Sequence, residues 1–232
     1  MQTLNHDTAA GAAARGPLQA SCEPGCPGSP VMRYEHLLQV TDPADPHARS
    51  LRQKCRFHIV PNMNPDGAFH GHLRTNAMGQ DLNRAWQNAS QEVSPEVLFV
   101  QQQMEKYGVD LFLDVHGDEE IPHVFTAGCE GNPGYTPRIE KLEEHFRSHL
   151  KHTTKDFQTQ YGYVRDEPGK ANMTLACNAV GQKYDCLSLT LEMPVKDHDD
   201  HPNPLTGWSG KRSKQLGKDV LTTVAEMVDR LR

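Results

Sequence analysis

No apolar run in this chain approaches the roughly 20 residues that a membrane-spanning helix needs. The start of the chain lacks the charged stretch and apolar core of an export signal. Basic excess is absent too: 24 Lys and Arg stand against 30 Asp and Glu, a net charge of -6 with both signs interspersed. No nucleic-acid footprint follows from that balance. No internal repeat recurs. Apolar residues make up only 36% of the chain and the mean hydropathy is -0.68. Part of that deficit sits in residues 1–31, rich in Ala, Gly, Pro and Ser and without period of either kind. They are expected to form a structureless leader. The six cysteines are Cys22, Cys26, Cys55, Cys129, Cys177 and Cys186. Cys22 and Cys26 have no partner pair at zinc-ribbon spacing. With nothing suggesting export, reduced thiols and a cytoplasmic location are expected.

What is present fits one α/β domain over residues 32–232. The run 56–61 reads as a strand. Ser94-Pro95-Glu96 opens a helix whose Val97, Val100, Met104 and Tyr107 share a face, with Gly108 to stop it. The apolar strand VDLFLDVHG (109–117) follows directly. A strand over 123–127, a helix over 136–151, a helix over 171–180 closed by Gly181, and the strand CLSLTLEMP (186–194) come next. Leu216, Val220, Val224, Met227 and Leu231 repeat at helical spacing near the end. This alternation predicts a mixed, largely parallel sheet flanked by helices. Sites in such sheets lie beyond the carboxyl ends of the strands, where His116 and Glu192 fall.

The run PNMNPDGAFHGHLRTNAMGQDLNRAW (61–86) has little apolar periodicity. Asn64-Pro65-Asp66-Gly67 reads as a turn. Arg74, Asn83 and Arg84 then place donor forks on a loop, as recognition of a carboxylate or an oxyanion requires. His116 and Glu192 end buried strands, a costly position unless something pairs with them. The apolar neighbours of Glu192 would raise its pKa. Asp114 could support His116, though across the pleat it reads as pointing the other way.

NPDG (64–67), Arg74 in HLRTN, DLNRAW (81–86), DVHGDE (114–119) and TLEMP (190–194) together resemble the M14-type zinc metallocarboxypeptidases. The likeness is to the cytosolic carboxypeptidase-like subfamily in its bacterial form, from about Asp42 to the end. It implies a zinc carboxypeptidase-like α/β fold, hydrolysis of the C-terminal peptide bond of a polypeptide, and C-terminal glutamate as the residue removed. It also implies Zn2+ as cofactor. By that resemblance His116 is a zinc ligand, Glu192 the general base and Arg74 the holder of the oxyanion. Asn83 and Arg84 grip the substrate carboxylate. The family's substrate-closing tyrosine stays unassigned among Tyr161, Tyr163 and Tyr184.

One element of the family pattern is missing. The other two zinc ligands come from a His-x-x-Glu motif upstream of NPDG, and none stands there. His6, His36, His47 and His58 are followed three residues on by Ala9, Gln39, Ser50 and Pro61. The His-x-x-Glu formed by His116 and Glu119 reuses the separate ligand. His198-Asp199-Asp200-His201 reads as a polar loop. The chain is therefore expected to be altered or truncated at its N-terminus and to lack the first elements of the fold. Two other readings stay open: a non-catalytic binder of peptide C-termini, and a zinc amidohydrolase of N-acyl amino acids, over which DLNRAW and NPDG favour the peptidase.

Overall fold

The computed structural model describes residues 2–3, 15–21 and 40–231. Six strands form one mixed sheet: β1 (Gln2–Thr3), β2 (Arg15–Ser21), β3 (Cys55–Ile59), β4 (Leu111–Asp118), β5 (Phe125–Ala127) and β6 (Leu187–Pro194). Their order is β1-β3-β2-β4-β6-β5. The β3-β2-β4-β6 stretch is parallel, and the outer strands β1 and β5 are antiparallel. This is the mixed, largely parallel sheet that the sequence implies.

The expected structureless leader requires correction where it is described. β2 lies inside the sheet, with β3 on one side and β4 on the other. Pairing on both sides can satisfy a strand's backbone whatever its side-chain pattern, so a weak apolar period did not reveal it. Pro17 cannot donate to a ladder, and the register with β3 shifts at Arg15/Pro17. The rest of the leader, with Cys22 and Cys26, lies outside the described residues.

Helices α1 (Pro46–Lys54), α4 (Pro137–Thr153) and α6 (Gly210–Met227) contribute to one buried apolar cluster with the sheet. Helices α3 (Pro95–Tyr107) and α5 (Ala176–Tyr184) contribute to the other. The pleat sorts the strands between the two layers. Leu111, Leu113 and Val115 of β4 join Leu187, Leu189 and Leu191 of β6 in the first cluster, while Phe112 belongs to the second. Asp114 and His116 share the Phe112 face, because residues two apart point the same way. The expectation that Asp114 points away from His116 is thereby overturned.

Two local expectations change. Asn64-Pro65-Asp66-Gly67 opens a short helix, α2 (Pro65–His70), and does not form a free turn; Asn64 Oδ1 caps it by accepting from Gly67 N at 2.8 Å. Gly67 is required there, since a Cβ would lie 2.4 Å from Asn64 Nδ2 and 2.6 Å from Thr75 O. The helix expected over 171–180 instead spans Ala176–Tyr184 and runs through Gly181.

Candidate active site

The site begins with strand register. His116 and Glu192 are direct partners across β4 and β6, so their side chains rise side by side on one face, about 5 Å apart at the backbone. His116 is 6% exposed and Glu192 4%. Asp114 Oδ2 lies 2.8 Å from His116 Nε2. A carboxylate this close to a ring nitrogen is the kind of support found behind metal-bound histidines.

Burial pushes Glu192 up to about 7. Tyr163 Oη lies 2.9 Å from Glu192 Oε1 and 2.6 Å from Asp118 Oδ2. The phenol hydroxyl thus bridges the two carboxylates, and the neighbouring Asp118 charge adds to the rise that burial imposes on Glu192. Asp118 is itself anchored, its Oδ1 accepting from Glu120 N and Ile121 N at 2.8 and 2.6 Å. Burial first, then the two carboxylates, drives the Tyr163 phenol well above its usual range. Of the three tyrosines that the sequence leaves open, Tyr163 is the one whose hydroxyl meets Glu192. Its signal was invisible because no motif surrounds it.

The irregular run before α3 is held by buried staples. Asn76, 1% exposed, accepts from Met78 N and Gln80 N and donates to Val93 O at 2.9 Å. Leu82, Ala85 and Trp86 are buried, and Trp86 packs edge-on against Phe112. Asn83 and Arg84 lie in the 3-10 turn Leu82–Arg84, which leaves Asn83 half-buried and Arg84 exposed. Asp81 serves both sides of this turn: Oδ1 accepts from Asn83 N at 2.9 Å and Oδ2 pairs with Arg74 Nε at 3.3 Å. Asn83 Oδ1 accepts from Ala176 N, the first residue of α5, at 2.9 Å. That bond takes the amide oxygen, so Nδ2 is the donor left for a ligand. Arg84 is exposed, with one Nη braced on Asn83 O at 2.8 Å.

Arg74, Asn83, Arg84, His116 and Glu192 all line one cleft of about 580 Å³. Tyr163, Asp118 and Arg147 line it too. Arg147, on α4, bonds Glu130 at 2.9 Å and Glu143 at 3.3 Å, and its Nε donates to Thr126 Oγ1. Glu143 is 0% exposed, and burial followed by the Glu130 charge raises it to about 7. Cys129 and Cys177 are free thiols with sulfurs 3.5 Å apart, and Cys177 reaches the cleft wall.

The raised Glu143 sets a pH dependence. Its folded value exceeds the unfolded one, so it favours the fold fully below about 4.5, and that contribution is lost as pH rises through about 7. Melting temperature followed from pH 4.5 to 8 is expected to fall less steeply in Glu143→Gln than in the parent. Parallel curves would refute this assignment.

A zinc ion bound by protein side chains usually needs three ligands. His116 fits one. Among the described residues, a group of three ligand atoms within 4.8 Å of one another occurs at His123, His198 and Asp200, and His116 is not part of it. Glu119 lines the cleft but makes no such group with His116. The described residues therefore do not complete a cage at His116.

The zinc carboxypeptidase family model matches residues 32–201. This chain belongs to that family, a family of metallopeptidases whose metal is zinc. It is 59% identical to a metallo-carboxypeptidase from Pseudomonas aeruginosa solved with (2-guanidinoethylmercapto)succinic acid. Superposition there gives a TM-score of 0.90 over 93% of this chain and 58% of that one. A metallo-carboxypeptidase from Burkholderia cenocepacia is 39% identical, with a TM-score of 0.92 over 98% of this chain and 60% of that one. An uncharacterised protein of Zymomonas mobilis is 56% identical over 195 residues, 84% of this chain and 51% of its own length. Cytosolic carboxypeptidase 6 of Caenorhabditis elegans is more distant, 27% identical over 76% of this chain and 39% of its own length. The chain thus spans about half the length of the Zymomonas relative. No described helix is long and apolar enough to cross a membrane.

Proposed function

We propose that the cleft acts on the C-terminus of a polypeptide, as a carboxypeptidase that hydrolyses the last peptide bond. One observation carries this reading: Arg74, Asn83 and Arg84 from one run meet His116 and Glu192 from two strands in a single cleft. Arg84 and the Nδ2 of Asn83 hold the terminal carboxylate, a grip that an internal peptide bond cannot use. Arg74, oriented by Asp81, faces the carbonyl oxygen where negative charge develops. Glu192, raised to about 7, takes a proton from the attacking water and returns it to the leaving amine. Tyr163 engages Oε1 alone, and Oε2, without a hydrogen-bond partner among the described residues, is the oxygen proposed to meet that water. A terminal glutamate is the substrate residue proposed, its side chain lying toward Arg147 and Arg165 on the cleft wall. A cytoplasmic setting is part of this reading and is supported by the cytosolic carboxypeptidase relatives.

A second reading is favoured by the single ligand at His116: the cleft binds peptide C-termini without cleaving them. Both readings share the carboxylate grip, and one experiment tests it. Arg84→Ala is expected to weaken binding of a labelled glutamate-terminated peptide about 10- to 100-fold, the value of charge-assisted hydrogen bonds. C-terminal amidation of the peptide should weaken binding to the parent as much and add little to the variant. Equal affinity of parent and variant for the free-acid peptide would remove the anchor from both readings.

A further inference from the structure

We propose that His123, His198 and Asp200 form a second metal site, for Zn2+ or Co2+, at the rim of the cleft and distinct from His116. The sequence reads this region as a polar loop because His123 lies far from the other two in the chain. The fold joins them. Their ligand atoms all lie within 4.8 Å of one another. His123 Nδ1 and Asp200 Oδ2 are 3.2 Å apart, against the roughly 3.3 Å edge of a tetrahedron whose metal–ligand bonds are about 2.0–2.1 Å.

The tautomer of His198 points the same way. His198 is 0% exposed, and its Nε2 donates to the backbone carbonyl of Asp156 at 2.7 Å. The lone pair is thereby placed on Nδ1, on the Asp200 side. A backbone carbonyl on the far nitrogen is a usual support of a metal-bound imidazole. The Asp200 amide reaches Nδ1 at 3.2 Å, the long end of a hydrogen bond, and a metal replaces that contact.

The site has an entrance. Asp200 has a side chain 46% exposed, and an opening of about 580 Å³ bounded by Glu120, His123, Tyr161, Asp199 and Asp200 leads to it. Its acidic rim attracts cations. Two imidazoles and one carboxylate, with water in the fourth position, select Zn2+ or Co2+ over the oxygen-seeking Mg2+ and Ca2+.

The role is bracing. Asp199 N already donates to Pro122 O at 3.0 Å, tying the loop after β6 to the loop before β5. Tyr161 stacks on His123 at 4.6 Å and also lines the cleft. A metal here stiffens the cleft wall that carries Tyr161 and, two residues on, Tyr163.

The test uses Co2+ on the His116→Ala chain, which removes the ligand of the main site. Bound cobalt is read by its visible ligand-field band and by metal content after gel filtration, with circular dichroism to show folding. One Co2+ per chain is expected. Adding Asp200→Ala, an exposed position, is expected to weaken binding more than about 100-fold, since even a supporting hydrogen bond is worth about 10- to 100-fold. If His116→Ala disturbs the fold, Asp200→Ala in the unaltered chain should show one Co2+ fewer than its parent. A folded chain without cobalt, or equal cobalt with and without Asp200→Ala, overturns the proposal. Neither result bears on the carboxylate grip of Arg84.

Discussion

Glu192→Gln is expected to lower the rate of C-terminal residue release by about 10²- to 10⁴-fold, the usual contribution of a positioned general base. Binding of the same peptide should change little, because Asn83, Arg84 and Arg74 belong to another segment. The fold should also persist. Glu192 is buried and raised to about 7, so its charged form is the less favoured one, and a neutral isostere removes a desolvation cost. Gln keeps an oxygen for the Tyr163 hydroxyl. The measurement is single-turnover release of the terminal residue beside peptide affinity and melting temperature. A parallel loss of affinity and stability would mean that Glu192 is structural. An unchanged rate would end its assignment as base.

Arg147→Ala is expected to destabilise the fold by about 3–5 kcal/mol, the cost of removing one partner from a buried ion pair. The Arg147 side chain is 13% exposed, and it serves Glu130 at 16% and Glu143 at 0%. Removing it leaves the buried Glu143 without its cation and Glu130 with only the exposed Arg165, 3.4 Å away. The loss should be larger at pH 8 than at pH 6, because Glu143, already near 7, escapes part of the penalty by taking a proton. Arg147→Lys should restore only part of the stability. A single ammonium does not replace a fork that also donates through Nε to Thr126 Oγ1 at 3.1 Å. Urea unfolding at the two pH values checks both points. A loss below about 1 kcal/mol would place the network with solvent-exposed ion pairs. The same variant touches function, since Arg147 forms the cleft wall toward which a terminal glutamate is proposed to point.

Much of the site was legible in the sequence because its residues sit in short, ordered segments. Arg74, Asn83 and Arg84 stand in one run, and His116 and Glu192 end apolar strands. The alternation of β4 and β6 was legible for the same reason, since a buried strand must carry its apolar residues through the pleat. Local order determined the parallel sheet, the helix opened by Pro95 and the amphipathic α6.

What only the tertiary structure decided involves partners distant in the chain. The register of β4 against β6 sets His116 beside Glu192. Tyr163 meets Glu192 and Asp118 across 29 and 45 residues, and Asn83 caps α5 across 93. β2 entered the sheet on backbone pairing, which leaves no apolar period to read. Hydropathy and spacing record what a residue's near neighbours require. They carry no trace of a hydrogen bond whose partner is brought close only when the sheet and its two helical layers pack.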